Sequence, residues 1–319
     1  MPSIGSALSW SHLIASMRII ILGAGAIGSV YGAKLSALHD VTLVGRPDHV
    51  QAIERDGLRL EGVEARTVHV RAAASIDRID ADTLILLTTK VSGSAAALAP
   101  MAPLVRDDTT ILCLQNGLGS EGIARDAVNG RGVVLRGITQ FGAIFRAPGV
   151  IDYMVAGYTL VEPHARSARI AELLTASGLD GRVSRDIAAA IWRKLIFNCV
   201  INPITAILRR EVGAIADPRL DPLKQLVIDE CLAVAAADGV RFETDFLKTI
   251  TEVFGASRNI ASMQQDLIRG RPTEIDYMNG AVAERGRQRG IPCPVNAALA
   301  QIIRAMEAPF RDTRIAGVP

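Results

Sequence analysis

Cysteine is scarce and scattered: four in 319 residues, at positions 113, 199, 231 and 293, with no Cys-x-x-Cys. That pattern argues against a disulfide scaffold and a thiolate zinc site, and makes a reducing, cytoplasmic compartment the expectation. Five histidines, also dispersed, offer no ligand spacing, so no metal site is expected. Neither sign of charge dominates. Lysine and arginine total 35 against 33 acids, a formal charge of +2. With no basic run and no acidic tail, nucleic acid is not an expected partner. No stretch approaches the ~18 consecutive apolar residues of a membrane span, so no membrane partner is expected either. Residues 1–16 lack a basic leader and a clear apolar stretch, which argues against a signal peptide. They are expected to be a disordered extension, or the product of a start upstream of the real one. Internal repeats, low-complexity tracts and long linkers are missing as well.

What is present is apolar and patterned. A hydrophobic fraction of 49% is ample for a large core, and ~150 residues per domain suggests two domains. Arg18 to Leu22 is a short β-branched run. It leads into Gly23-Ala24-Gly25-Ala26-Ile27-Gly28, and then into a helical segment. Strand, G-x-G-x-x-G and helix together make the dinucleotide-binding fingerprint. Gly23 suits the tight turn, Gly25 the close approach of a pyrophosphate, and Gly28 the packing of helix on strand. The helix start offers free N–H groups and a positive dipole end to the phosphates. The second strand ends in Gly45-Arg46, where an NAD enzyme usually carries an acid. An arginine there pairs with a 2′-phosphate and favours NADP(H); the competing explanation is a solvated loop arginine.

Two further apolar runs, TLILLT at 83–88 and TILCL at 110–114, suit parallel strands buried on both faces. Each ends in polar residues, Thr89-Lys90 and Gln115-Asn116-Gly117. Ligands of open α/β sheets bind beyond such strand ends, so Lys90 and Asn116 are site candidates by position. A surface lysine and an ordinary Asn-Gly turn are the bland alternatives. Residues 132–161 read as an antiparallel or mixed sheet edge. After Asp186 strand signals give way to helices. These are expected over 222–238, 242–254, 257–268, 273–289 and 294–307. The fold class is therefore α/β: an N-terminal Rossmann-type dinucleotide-binding domain at 17–185, then an all-helical substrate and catalytic domain at 186–319.

The helical part opens with DIAAAIWRKLIFNCVINPITAIL. Lys194, Asn198 and Asn202 stand four residues apart, and each step of four drifts by only ~40° on a helix. One amine and two carboxamides thus line a single stripe among Trp192, Leu195, Ile196 and Phe197. Hydrocarbon neighbours make an unpaired amine costly and lower a lysine's pKa towards values useful for proton transfer. A core helix with locally bonded polar residues accounts for the same pattern. Pro203, inside this helix, is expected to kink it. Further on, Ser262 lies in a helical segment. Glu274 follows Thr273, where an acid could simply complement a helix dipole.

With these residues assembled, the sequence resembles the ketopantoate reductase (2-dehydropantoate 2-reductase) family from Arg18 to about Glu307. GAGAIG looks like the family's cofactor loop, Gln115-Asn116-Gly117-Leu118-Gly119 like its NG-x-G loop, and Thr89-Lys90 like its lysine loop. The most specific matches are Trp192-Arg193-Lys194-Leu195 with Asn198-Cys199-Val200-Ile201-Asn202-Pro203, and Ser262-Met263-Gln264-Gln265-Asp266 with Thr273-Glu274-Ile275-Asp276-Tyr277. The resemblance implies that Lys194 is the general acid and that Asn198 and Asn202 help fix substrate. It implies that Glu274 binds the substrate's terminal hydroxyl and Ser262 its carboxylate. Asn116 and Lys90 would sit where nicotinamide ribose meets substrate, and Arg46 at the adenosine 2′-phosphate. The implied activity is NADPH-dependent reduction of ketopantoate to pantoate by a monomer or homodimer acting on a small 2-keto acid. A reductase of another 2-keto acid and an NADP(H)-sensing protein without chemistry are the alternatives.

Overall fold

The structure is a computed structural model that describes residues 16–307. The expectation for the first sixteen residues falls, Ser16 apart, outside them. In chain order the elements are β1 (Arg18–Leu22), α1 (Ala26–Leu35), β2 (Asp40–Val44), α2 (Pro47–Asp56), β3 (Leu58–Gly62), β4 (Arg66–Val68) and β5 (Arg71–Ala73). Then come β6 (Leu84–Leu87), α3 (Ser94–Leu98), β7 (Thr110–Cys113), α4 (Ser120–Ala127), β8 (Val133–Thr139), β9 (Gly142–Ala147), β10 (Val150–Val155), β11 (Thr159–Val161), α5 (Ser167–Ala176) and β12 (Gly181–Val183). The remainder is helical: α6 (Ile187–Leu208), α7 (Asp221–Ala237), α8 (Phe246–Phe254), α9 (Ser262–Ile268), α10 (Asn279–Gln288) and α11 (Pro294–Glu307).

Eight strands form one sheet in the order β12-β11-β8-β7-β6-β1-β2-β5. From β8 through β5 neighbours are parallel; β11 runs antiparallel to β8. Leu84, Ile85, Leu86 and Leu87 are all fully buried, as expected of a central parallel strand with apolar layers on both faces. One layer carries Ile21, Val30, Leu43 and Leu86; the other carries Leu22, Leu87, Leu98 and Ile111. From β1 the chain moves outward to β2 and β5, then returns to β6 on the other side. That reversal leaves a crevice beyond the carboxyl ends of β1 and β6, where dinucleotides bind in such sheets.

The structure corrects four local expectations. The 132–161 segment splits: β8 and β11 extend the main sheet, but β9 and β10 join β3 and β4 in a second sheet of order β4-β3-β10-β9. Short strands of mixed burial such as β3 and β4 carry too little apolar run to announce themselves. The helix expected from 242 begins at Phe246, because Asp245 Oδ1 accepts from Lys248 N at 2.9 Å and caps it there. The helix expected from 257 begins at Ser262. The helix expected over 273–289 breaks into a single 3-10 turn, Ile275–Tyr277, and α10.

α6 is capped by Asp186, whose Oδ1 accepts from Ala189 N at 2.9 Å. It stays continuous through Pro203. The proline has no N–H for the carbonyl of Cys199, one turn back. Asn279 Nδ2 donates to that carbonyl instead, at 2.9 Å. By length and composition α6, with mean hydropathy 1.3, could cross a membrane, yet half of it is buried inside this fold. It packs with α7, α9, α11 and the following residues into a separate core of Trp192, Leu195, Ile196, Val227, Phe246 and Ile303. Leu118, which follows β7, packs against that core.

Candidate active site

A cavity of about 840 Å³ opens at the crevice. Gly23 to Ile27, Val44 to Pro47 and Ala74 to Ile76 line it, along with Thr88 to Lys90, Gln115, Asn116 and Thr139. Ser262, Gln265, Asp266, Arg269, Arg271 and Glu274 line it from the helical part. The volume lies in the range typical of ligand pockets.

The glycine turn is built for a polar ligand. Gly23 has φ +111°, and a Cβ there would stand 2.4 Å from Thr89 N. Gly23 N and Ala24 N both donate to Val44 O, at 3.0 and 2.8 Å, which anchors the turn on β2. A Cβ on Gly28 would meet Gly23 O at 2.3 Å. Gly25 is different: a Cβ there meets nothing within 4 Å, so its backbone faces open space at the helix start. No side chain caps α1 and no acid occupies its first turn, so its terminal N–H groups remain available to an anion. At the same end of the cavity the Arg46 guanidinium lies 5.5 Å from the centre of the Phe145 ring. Its Nε is 4.0 Å from Asp48 Oδ1, a weak pairing between two exposed groups. Arg269 Nη2 donates to Phe145 O at 3.3 Å. Glycine cradle, free helix start and arginine suit a dinucleotide with phosphate at both ends of its adenosine.

At the other end two acids and two lysines are arranged unequally. Lys90 lines the cavity, but its amine is engaged: Nζ stands 2.7 Å from Asp266 Oδ1 and donates to Pro272 O at 2.6 Å, tying the two halves together. Glu274 accepts from Val91 N at 3.3 Å and from Asn116 Nδ2 at 3.4 Å. Burial pushes its carboxyl above the usual carboxylate range, against those two hydrogen bonds and the Lys90 charge. It precedes a one-turn helix and points its carboxylate into the cavity, so a dipole complement does not describe it.

Lys194 sits behind this end. Its Nζ donates to Thr139 O at 2.5 Å. It lines a second pocket of about 10 Å³, which shares Gln115 and Asn116 with the large cavity. Burial first, and the Arg136 guanidinium second, pull its ammonium down to about 8, while Glu274 opposes them. The other two residues of the stripe fare differently. Asn202 is 6% exposed and donates to Met278 Sδ at 3.6 Å, and it lines neither pocket. Asn198 is half-buried and lines neither pocket. The drift of a helical stripe turns each successive residue further from Lys194, so Asn198 and Asn202, expected to help fix substrate, stand outside the walls of both pockets. Ser262, at the start of α9, does line the cavity.

Sequence reasoning passed over Arg136, Phe145 and Arg269. The signal for Arg136 was present: an arginine inside the apolar strand VVLRGIT demands buried partners. Phe145 and Arg269 gave no local signal.

Comparison with known proteins places these features in a family context. The family description "Ketopantoate reductase PanE/ApbA" matches residues 19–166, and "Ketopantoate reductase PanE/ApbA C terminal" matches 186–307. The 2-dehydropantoate 2-reductase of Pyrococcus horikoshii is 37% identical over 300 residues, covering 92% of this chain and 98% of its own. A PanE/ApbA family ketopantoate reductase from Ralstonia eutropha JMP134 superposes with a TM-score of 0.84 at 33% identity, covering 91% and 98%. D-mandelate dehydrogenase, solved with NADH and anilino(oxo)acetate, superposes with a TM-score of 0.83 at 29% identity, also covering 91% and 98%.

Proposed function

The chain belongs to the ketopantoate reductase family, and from that premise we propose that Lys194 is the proton donor in the reduction of a 2-keto acid bound in the cleft. The protein is an oxidoreductase that uses NADP(H), the family's cofactor, to reduce 2-dehydropantoate to pantoate, a step towards pantothenate and coenzyme A. When bound, the reduced nicotinamide supplies hydride to the carbonyl carbon. The remaining work falls to side chains.

Negative charge develops on the carbonyl oxygen as hydride arrives, and an ammonium placed there stabilises it and donates a proton. Lys194 suits that role because burial and a neighbouring cation leave its proton easily released near neutral pH. Its amine must leave Thr139 O to reach substrate, a short swing across the wall shared by the two pockets. Glu274, already accepting from Val91 and Asn116, would accept from the substrate's terminal hydroxyl. Ser262 would meet the carboxylate, while Asn116 and Lys90 would stand between substrate and nicotinamide ribose. Residues 17–185 would carry the cofactor and 186–319 the catalytic lysine. The observation that supports this reading most is that Lys194 lines a small pocket together with Asn116, which also lines the dinucleotide cavity and touches Glu274 there.

The test is NADPH oxidation across a panel of 2-keto acids. Ketopantoate should be turned over with higher kcat/KM than pyruvate or 2-ketoisovalerate. A second reading, reduction of a bulkier 2-keto acid with NADH, draws on the likeness to D-mandelate dehydrogenase. Preference for benzoylformate with NADH in the same panel would establish that reading and displace the first.

A further inference from the structure

Arg136 places a charge in the middle of β8, where the residue is 3% exposed. A guanidinium is tolerated at such depth only with dense hydrogen bonding. Four bonds go to main-chain carbonyls. Nη1 donates to Cys113 O at 2.8 Å and Gly137 O at 3.0 Å; Nη2 donates to Gln115 O at 2.7 Å and Gly117 O at 3.0 Å. The side chain therefore bridges the end of β7, its own strand and the Gln115–Gly117 turn. That turn carries Asn116 on the cavity side. It is pinned on its other flank by Leu118 N donating to Tyr277 O at 3.0 Å.

Clamping carbonyls accounts for the nitrogens at the tip. It does not account for where the charge lies. Arg136 and Lys194 line the same small pocket, two cations side by side. Like charges at close range cost stability, and a clamp gains nothing from the pairing. The chemistry gains, because a cation beside an ammonium favours loss of its proton. We propose that Arg136 is a positioning residue for the reduction: it holds the Gln115–Gly117 turn and sets a second positive charge beside the Lys194 ammonium, so that the proton passes more readily to substrate. In that step the Lys194 N–H bond breaks and the substrate O–H bond forms as hydride adds to carbon. The neutral amine left behind regains its proton from solvent.

Other charges frame the pair. Glu274 faces both from the segment before α10, and acts against loss of the proton. Glu121, at the start of α4, has Oε2 3.6 Å from Arg136 Nε, and Glu162 follows β11; both favour the charged guanidinium. The Cys113 thiol beside Arg136 is pushed up to about 12 by burial and stays neutral.

The inference rests on Lys194 as the donor, so the test is a kcat–pH profile in which Lys194→Ala is run beside the other variants. In the wild type kcat falls as pH rises through the lysine's pKa. If Lys194→Ala keeps that limb, Lys194 is not its source and the reading beneath the inference fails. If Lys194→Ala abolishes the limb, Arg136→Met decides the rest. The expected result is a limb displaced to higher pH and a lower kcat, with the NADPH KM within about threefold of wild type. A limb that stays put, with only a lower melting temperature, would reduce Arg136 to a clamp and overturn the proposal. Should Arg136→Met fail to fold, Arg136→Gln takes its place, since it removes the charge beside Lys194 and keeps an amide donor for the turn carbonyls. Its limb should likewise move to higher pH, and an unmoved limb would equally overturn the proposal.

Discussion

Glu274 and Arg46 illustrate how a single side chain can be chemically ambiguous in sequence and specific in place. An acid after Thr273 could have complemented a helix dipole. Instead its carboxylate accepts from Val91 N and Asn116 Nδ2 across the cleft. A pocket that hydrogen-bonds a hydroxyl rejects analogues lacking it, because its own polar group is then left unpaired. Glu274→Ala should therefore depress kcat/KM for ketopantoate far more than for a 2-keto acid without the hydroxyl. Equal losses on both substrates, or a change in melting temperature alone, would return Glu274 to a structural role. Arg46 stands exposed at the opposite end, stacked near Phe145 and only weakly paired with Asp48. Arg46→Ala should weaken NADPH binding by ~1.5–3 kcal/mol, the scale of a hydrogen bond to a charged group, and hardly alter NADH binding. Titration of both cofactors into both proteins checks this, and equal wild-type affinity for NADPH and NADH would contradict it.

Elements convert those side chains into a site, and the glycine turn does so at two neighbouring positions with opposite demands. Gly23 needs its positive φ and has Thr89 N in its way, whereas Gly25 faces open space. Gly23→Ala should lower the melting temperature markedly. Gly25→Ala should leave it within a few degrees and weaken NADPH binding instead, since the methyl group projects where phosphate must approach. If both variants lose stability alike, the turn serves packing only. This turn was fully legible in sequence, because strand, glycine spacing and helix all lie within eighteen residues. β6, β7 and α6 were legible for a similar reason: long apolar runs dictate burial. β3 and β4 were not, because they are short and their burial is mixed; β9 and β10 read as strands but fell to the wrong sheet, because the pairing of β10 with β3 joins segments distant in sequence. The stripe of Lys194, Asn198 and Asn202 was read correctly as one helix face. How far along that face the cleft extends depends on the docking of β8 and the Gln115–Gly117 turn, which no local pattern encodes. Arg136 carried a signal, a charge inside an apolar strand, whose meaning lay in four carbonyls that only the fold brings together.

At the scale of the whole molecule, the sheet contributes a dinucleotide cavity, and the helical part contributes an amine to the small pocket that shares Gln115 and Asn116 with it. Contacts across the divide hold the two in register: Lys90 with Asp266 and Pro272, Leu118 with Tyr277, and Arg269 with Phe145. On the proposed mechanism catalysis depends on this junction, because the glycine turn lies in one part and Lys194 in the other. The central claim is that Lys194 supplies the proton. General acid catalysis typically contributes 10²–10⁴-fold, or ~3–5 kcal/mol of barrier. The most direct measurement is kcat for ketopantoate reduction at saturating NADPH, from pH 6 to about 10, in the wild type and Lys194→Ala, with the NADPH Kd measured on the same preparations. Wild-type kcat should fall as pH rises through about 8, where burial and Arg136 have brought the ammonium. Lys194→Ala should lose roughly 10²–10⁴-fold in kcat and the alkaline limb with it, while keeping its NADPH Kd. A variant within about threefold of wild-type kcat, or one that retains the limb, would contradict the account.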